Sequence, residues 1–335
     1  MENKVKPVAV IILNWNGEKF LRQFLPSVVA HTPADIADVI VADNGSTDGS
    51  VELLRKEFHT VKVLPFSENY GFADGYNRAV AATRYRYTVL LNSDVEVKSD
   101  WLTPLYEFMS SHPEAGAVQP KILSLRSPDT FEYAGAAGGF IDRNGFPYCR
   151  GRIFSTLETD NGQYDDPMPV FWATGACLMV DSALYEKVGG LDSRFFAHME
   201  EIDLCWRIHL ADREVWAVPE AKVYHLGGGS LPASDPRKTY LNFRNNLLML
   251  YKNLPARDRK WSLIKRRLLD TVAWCKFMMT LDFKNASAIL RAHRDYRRMI
   301  SEYSSEASPE VNLLKDRPNI LTSYYLKGHK TFDRI

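Results

Sequence analysis

Val8-Ala9-Val10-Ile11-Ile12-Leu13, followed at once by Asn14-Trp15-Asn16-Gly17, is the stretch from which the fold can be read. A continuous apolar run rich in β-branched residues fits a strand covered on both faces, because a half-exposed strand would alternate. Its polar end leads into a predicted amphipathic helix, Glu18 to His31, with Phe20, Leu21, Phe24, Leu25 and Val28 on one side. The pattern then repeats. Asp38-Val39-Ile40-Val41-Ala42 is a second strand. Its end, Asp43-Asn44-Gly45-Ser46-Thr47-Asp48-Gly49-Ser50, supplies a turn and N-cap residues for a helix from Val51 to Phe58. Val61-Lys62-Val63-Leu64 is a third strand, a Gly/Asn-rich loop leads to a helix from Ala73 to Thr83, and Tyr87 to Leu91 is a fourth strand. Strands alternating with helices predict an α/β fold with a mainly parallel sheet and right-handed crossovers.

Beyond this the pattern loosens. Ala115 to Val170 is rich in Gly, Pro and Asp and reads as variable, substrate-facing structure with short strands. Val170 to Val180 and Val215 to Val218 read as later strands, with a helix between them that opens at Glu200-Glu201-Ile202-Asp203. Past Pro255 the chain reads as helical and basic, so the expected division is 1–254 for the main domain and 255–335 for an extension.

The 335 residues carry a formal charge of +1, which gives no reason to expect nucleic acid as a partner. That balance hides an asymmetry: Pro255 to Arg298 holds 12 Lys/Arg against 4 Asp/Glu, a surplus of +8 that leaves −7 for the remainder. Cys149, Cys177, Cys205 and Cys275 form no C-x-x-C pair; Cys177 lies in an apolar run and Cys205 in a predicted helix, so buried free thiols are expected. The N-terminus does not read as a signal peptide and no apolar run is long enough to span a bilayer. A cytoplasmic protein is the expectation.

Several segments carry chemistry. Asp43 stands at a strand's carboxyl end, where ligands of open α/β sheets bind, although the same turn also suits a helix cap. No G-x-G-x-x-G follows either early strand, which argues against a nicotinamide oxidoreductase. Asn69, Gly71 and Asn77 offer close backbone approach and amide donors to a phosphate-bearing ligand. Asn92-Ser93-Asp94 closes the fourth strand; a carboxylate beside a diphosphate requires an intervening cation, so Asp94 implies a metal. Glu200-Glu201 places carboxylates remote in sequence but able to serve as a general base. His225 precedes Leu226-Gly227-Gly228-Gly229-Ser230 and is a candidate second metal ligand. Arg237 and Arg244 suit oxyanion contacts, or are exposed helix charges.

Taken in order, Asn14-Trp15-Asn16-Gly17, Asp43 to Ser50, Asn69-Tyr70-Gly71-Phe72, Leu91-Asn92-Ser93-Asp94, Thr174-Gly175-Ala176, Glu200 to Leu204 and His225 to Ser230 resemble the motifs of inverting glycosyltransferase family 2, nearest its rhamnosyltransferase-like branch. The resemblance covers about Val8 to Leu254. It implies a GT-A fold: a Rossmann-like α/β domain binding a nucleotide-diphosphate sugar, with the acceptor region built in. By that resemblance Asp43 and Asn14 contact the nucleobase or ribose, and Asp94 and His225 hold Mg²⁺ or Mn²⁺; Asn16, Asn69, Gly71, Asn77, Asn92, Ser93, Arg237 and Arg244 complete the expected donor site. Glu201 is the base and Glu200 helps place the acceptor. Two positions depart from the usual pattern: Asn92 stands where a first acid would, and Glu200-Glu201 replaces a Glu-Asp pair.

The implied reaction moves a sugar, from a deoxythymidine-diphosphate-rhamnose or uridine-diphosphate donor, to a hydroxyl of a glycan or lipid-linked acceptor in bacterial surface polysaccharide synthesis. The rival expectation is a non-catalytic nucleotide-sugar or glycan-binding protein of the same fold. In the tail, Trp261, Ile264, Leu268, Val272, Cys275 and Met279 recur at helical spacing among Lys265, Arg266, Arg267 and Lys276. Such a helix suits peripheral contact with the inner face of the plasma membrane. Packing on its own domain or on a dimer partner suits it equally, since an apolar stripe does not identify what it faces.

Overall fold

The computed structural model describes residues 6–227, 235–303 and 308–335. The main sheet is built from β1 (Val8–Asn14), β2 (Ala37–Asp43), β3 (Lys62–Pro65), β4 (Tyr87–Leu91), β5 (Val95–Glu96), β6 (Ala115–Ser124), β11 (Met168–Val170), β12 (Cys177–Asp181) and β13 (Glu214–His225). Its order is β11-β13-β6-β12-β4-β1-β2-β3, with β5 alongside β13. A small antiparallel sheet comprises β7 (Gly139–Ile141), β8 (Pro147–Cys149), β9 (Arg152–Ile153) and β10 (Thr156–Leu157).

The first four strands are parallel and in register, Asn14 opposite Asp43. Alternate β1 residues feed two apolar layers, as the period of a strand requires. Val8, Val10 and Ile12 pack with Leu21, Leu25 and Val28 of α1 (Glu18–His31) and Leu53 of α2 (Ser50–Glu57). Ala9 and Ile11 face Tyr76, Ala79 and Val80 of α3 (Gly71–Ala82). Each such large aliphatic side chain contributes about 1.5–3 kcal/mol when fully buried.

The second half of the sheet is mixed. β12 runs antiparallel between β4 and β6, while β13 is parallel to β6. α4 (Thr103–Ser111) packs against β6 and β13, and the short α5 (Ser182–Lys187) follows β12. Here the sequence reading is corrected in two places. The loosened segment contains β6, a ten-residue central strand whose Gly116 and Pro120 disguise it; the β13 register shifts between Val218 and Lys222, opposite the step from Pro120 to Lys121. The expected strand from Val170 to Val180 is divided into β11 and β12 by Thr174-Gly175-Ala176.

α6 (Glu200–Leu210) precedes β13, and α7 (Pro236–Asn253), α8 (Ala256–Met279) and α9 (Phe283–Met299) follow it. Cys149, Cys177 and Cys205 are buried as expected, whereas Cys275 is exposed on α8. α6 is fastened to α7 through a buried carboxylate. Asp203 accepts from Arg207 Nε at 2.9 Å, Lys252 Nζ at 3.0 Å and Asn253 Nδ2 at 2.7 Å. Asp203→Ala leaves those donors around a cavity, and unfolding by denaturant is expected to show a loss of about 3–5 kcal/mol, with Asp203→Asn losing less.

Candidate active site

The carboxyl ends of β1, β2 and β4 lie side by side, and the turns that leave them interlock. Asn14 Nδ2 donates to Asp43 Oδ1 at 2.9 Å and to Ser46 Oγ at 3.2 Å, while Asp43 Oδ2 accepts the Ser46 amide at 3.0 Å. Asn14 Oδ1 is buried without a partner. Asn16, in a left-handed conformation, accepts the Thr47 amide at 2.8 Å. Asn44, which the sequence reading passed over, ties this turn to the next: its Nδ2 donates to Asn69 Oδ1 at 3.0 Å and to the Gly71 carbonyl at 2.9 Å, and its Oδ1 accepts the Tyr70 amide at 3.0 Å. Gly71 has φ +78°, which only glycine adopts without strain.

Asn77 takes a different place from the one expected. Its carboxamide spans from α3 to Leu191, donating to that carbonyl at 2.8 Å and accepting the Leu191 amide at 2.9 Å and the Tyr185 hydroxyl at 2.6 Å. It braces the fold rather than presenting a free amide.

Asn92-Ser93-Asp94 meets the end of β13. The Leu226 amide donates to the Asp94 carbonyl at 3.0 Å, and His225 Nε2 lies 3.1 Å from Asp94 Oδ1 and 3.5 Å from Asn92 Nδ2. Ser93 is half-buried in the turn between them. On the other side of the imidazole, Nδ1 is 3.7 Å from Glu132 Oε1. Glu132 is buried and fixed by the Ala134 amide. Nothing in the sequence pointed to it, for it lies in irregular chain far from both partners. Burial pulls the His225 pKa down, but the carboxylates of Asp94 and Glu132 outweigh it and raise it to about 10. Gly228-Gly229-Ser230 of the expected glycine loop lie outside the described residues.

The glutamate pair opens α6 after an unusual loop. Phe196, His198 and Met199 all have left-handed φ values, 67°, 69° and 75°. Asn245 Nδ2 holds that loop by donating to the carbonyls of Phe195, Ala197 and His198 at 2.9, 2.8 and 2.7 Å. Arg244 assists, donating to the Phe195 carbonyl at 2.8 Å and to Asn245 Oδ1 at 2.9 Å. Its guanidinium is thus spent beneath the loop, in place of the expected donor contact. Arg237 stacks over the Phe196 ring, 4.9 Å from its centroid. His198, another residue passed over, has a buried Nε2 without a partner, and burial together with Lys238 lowers its pKa to about 4.

Glu201 is half-buried and Glu200 buried, and Oε2 of each lacks a hydrogen-bond partner. Burial raises the Glu201 pKa from 4.5 to about 7. Burial and the neighbouring Glu201 raise that of Glu200 well above the usual carboxylate range. Thr174-Gly175-Ala176 brings this pair to the metal-candidate side of the site. A Cβ on Gly175 would lie 3.8 Å from both Glu201 Cβ and Phe72 Cζ, and the Ala176 carbonyl accepts the Asn92 amide at 3.0 Å. One short segment therefore separates an acid with an unused oxygen from the Asp94–His225 pair.

A parallel half-sheet joined to a mixed half, with acidic groups along one edge, is the architecture of the GT-A glycosyltransferases. The chain belongs to glycosyl transferase family 2, whose family model matches residues 9–185. It is 29% identical over 234 residues to an N-acetylglucosaminyl-diphospho-decaprenol L-rhamnosyltransferase of Mycobacterium tuberculosis, covering 64% of this chain and 75% of the relative. It is 25% identical to a low-salt glycan biosynthesis hexosyltransferase of Haloferax volcanii, covering 72% and 74%. Among solved structures, GalNAc-T7 with UDP, GalNAc and Mn²⁺ superposes with TM-score 0.61 at 16% identity, covering 91% of this chain and 59% of that one. S. aureus TarS in complex with UDP-GlcNAc gives 0.57 at 14% identity, covering 86% and 80%. The protein is a glycosyltransferase.

The raised Glu201 pKa has a direct thermodynamic consequence. A carboxyl whose folded pKa lies above its unfolded value of 4.5 makes the native state less stable as pH rises from there through about 7. Glu201→Gln removes that cost, so the variant is expected to melt above the parent at about pH 8 and level with it near pH 4 in thermal unfolding.

Proposed function

We propose that the chain is a metal-dependent inverting glycosyltransferase with Glu201 as general base and Asp94 and His225 as metal ligands. The observation that carries this reading is the unpartnered carboxylate oxygen of Glu201, with its raised pKa, one short segment away from the Asp94–His225 pair. Carboxylate and imidazole suit Mn²⁺ or Mg²⁺, and two protein ligands leave room for diphosphate oxygens. Among the described residues no group of three or more potential ligands stands ready, and Asp94 and His225 would hold the ion. A divalent cation held there would supply positive charge beside the departing nucleoside diphosphate.

The protein's own residues then act in sequence. The interlocked turns at Asn14, Asp43 and Asn69 receive the nucleotide, and Arg237, stacked over Phe196, is assigned to the diphosphate. Glu200, whose pKa burial and the neighbouring Glu201 raise, hydrogen-bonds the acceptor. Ionised Glu201 takes the proton of the acceptor hydroxyl as its oxygen bonds to the anomeric carbon. The bond from that carbon to the diphosphate oxygen breaks on the opposite face, releasing the nucleoside diphosphate and inverting the configuration. Glu132, 3.7 Å from His225 Nδ1, stands where an outer-sphere carboxylate would orient a metal-binding imidazole.

Similarity to a decaprenol-linked rhamnosyltransferase supports a deoxythymidine-diphosphate-rhamnose donor and a lipid-linked glycan acceptor in bacterial surface polysaccharide synthesis. UDP and GDP sugars in the structural neighbours keep other donors in the test. The catalytic unit runs to residue 254, and 255–335 form an extension.

Turnover with a panel of nucleotide sugars and a lipid-linked acceptor tests the reading. Glu201→Gln is expected to lose about 10²–10⁴-fold in kcat while nucleotide-sugar binding, followed by thermal shift, persists. Retained turnover would remove Glu201 as the base; binding without turnover in the parent would favour a non-catalytic nucleotide-sugar protein. Asp94→Asn should abolish the Mn²⁺-dependent part of the thermal shift. For Glu132→Gln, Mn²⁺ affinity measured by calorimetry is expected to fall about 10–100-fold, a change that a purely structural role would not produce at unchanged melting temperature.

A further inference from the structure

α8 is turned inside out. Its inward face carries Leu263 with Arg266 and Asp270, all buried. Arg266 donates to Asp270 at 2.8 Å and to Asn246 Oδ1 at 2.6 Å, and His293 Nε2 lies 3.0 Å from the other Asp270 oxygen. The apolar stripe therefore points outward. Trp261 is 70% exposed, Leu268 65%, Val272 67% and Met279 84%, and Leu281 and Phe283 continue the line. At about 1.5 Å per residue, the stripe from Trp261 to Met279 is roughly 27 Å long. A contiguous apolar surface of this kind marks a contact that the chain alone does not provide.

The charge beside the stripe identifies the contact. The exposed charges on α8 are Arg257, Lys260, Lys265 and Lys276, while its two acids, Asp258 and Asp270, are half-buried and buried. A second copy of α8 would set cation against cation, which opposes pairing. An anionic surface is complementary. A cavity of about 200 Å³ beside Trp261, lined by Arg143, Ser262, Lys265 and Arg266, adds a seat of the right chemistry for a phosphate group. Among the described residues no carboxylate pairs with Lys265 or Arg143. No described helix is long and apolar enough to cross a membrane, so α8 would lie along the surface.

We propose that the outward face of α8 docks the protein on an anionic phospholipid bilayer, with Trp261, Leu268, Val272 and Met279 entering the headgroup boundary and the cavity at Arg143 and Lys265 receiving a lipid phosphate. Interfacial Trp and flanking cations are the side chains such a surface favours. The site shares no residue with the proposed transfer chemistry and does not rest on it.

The test is co-sedimentation of the full chain with vesicles of phosphatidylcholine alone and of phosphatidylcholine mixed equally with phosphatidylglycerol, without nucleotide or metal. Failure here leaves the transferase reading untouched. Binding is expected only with phosphatidylglycerol and should weaken as salt rises. Leu268→Gln and Val272→Gln should each weaken it by at least about tenfold. Lys265→Gln and Lys276→Gln should each weaken it about fivefold. All four residues are exposed, and unchanged melting temperatures would show that the variants fold. The proposal is overturned by absent binding, by equal binding to both vesicle types, or by variants that bind like the parent. Concentration-dependent dimerisation in sedimentation, lost in Leu268→Gln, would overturn it in favour of a second copy as the cover.

Discussion

Burying Glu200 beside Glu201 at the start of α6 is the interaction to which the neighbouring structure accommodates. Each carboxyl loses water, which raises both pKa values, and repulsion from Glu201 adds to that cost at Glu200. A helix end left to itself would unwind and hydrate them. α6 cannot, because its other side is fixed: Leu204, Trp206 and Ile208 are buried, and Asp203 is bound by Arg207, Lys252 and Asn253. The approach to the helix is restrained as well. The left-handed residues Phe196, His198 and Met199 carry about 1–3 kcal/mol of strain each, which persists only when the surroundings over-determine it. Asn245 supplies that restraint with three carbonyl contacts. Lys252 and Asn253 lie seven and eight residues beyond Asn245 on α7, about two turns on, and so share its face. One helix face thus holds both the loop and the body of the acidic helix.

The remainder of the site depends on strand register. Parallel pairing of β1 with β2 and β4 places Asn14, Asp43 and Asn92 at one edge without further specification. The insertion of β12 antiparallel beside β4 then delivers Thr174-Gly175-Ala176 to the same edge from the opposite chain direction. Gly175 lies beside both Phe72 and Glu201, within 3.8 Å of each from the position a Cβ would take. β13 closes the other side, its last residue His225 paired with Val95 next to Asp94. Residues separated by more than a hundred positions are joined by ordinary sheet geometry.

The first four strands and their helices were legible because their signals are local: unbroken apolar runs ended by Asn, Asp and Gly. β6 was not, because Gly116 and Pro120 break its run and its pairing with β13 is set by a distant bulge. The motifs that announced the site lie at strand ends and at the start of α6, where an Asp or a Glu stands out against the apolar pattern beside it. Glu132 and His198 were invisible, since each gains meaning only from surroundings brought close by tertiary structure. Asn77 and Arg244 show the converse. Their side chains are of the right kind for a ligand, but intramolecular carbonyls and amides occupy them. An amide or a guanidinium in a promising position satisfies whichever partner the fold supplies first, and sequence does not rank those partners.

The same limit governs α8. The recurrence of Trp261, Leu268, Val272 and Met279 established a helix with an apolar side, and the structure contains that helix. Period alone left the direction of the side open, and the usual assumption would turn it inward. Arg266 and Asp270 decide otherwise. Burying them together, with Asn246 and His293 completing their hydrogen bonds, satisfies an ion pair that would be costly if either partner were missing. Once that pair is inside, the helix has no rotation left that also buries the apolar stripe, because the two lie on opposite faces. A buried polar network can in this way fix the orientation of a helix against the tendency of its apolar side to turn inward, and that side is then available to something outside the chain.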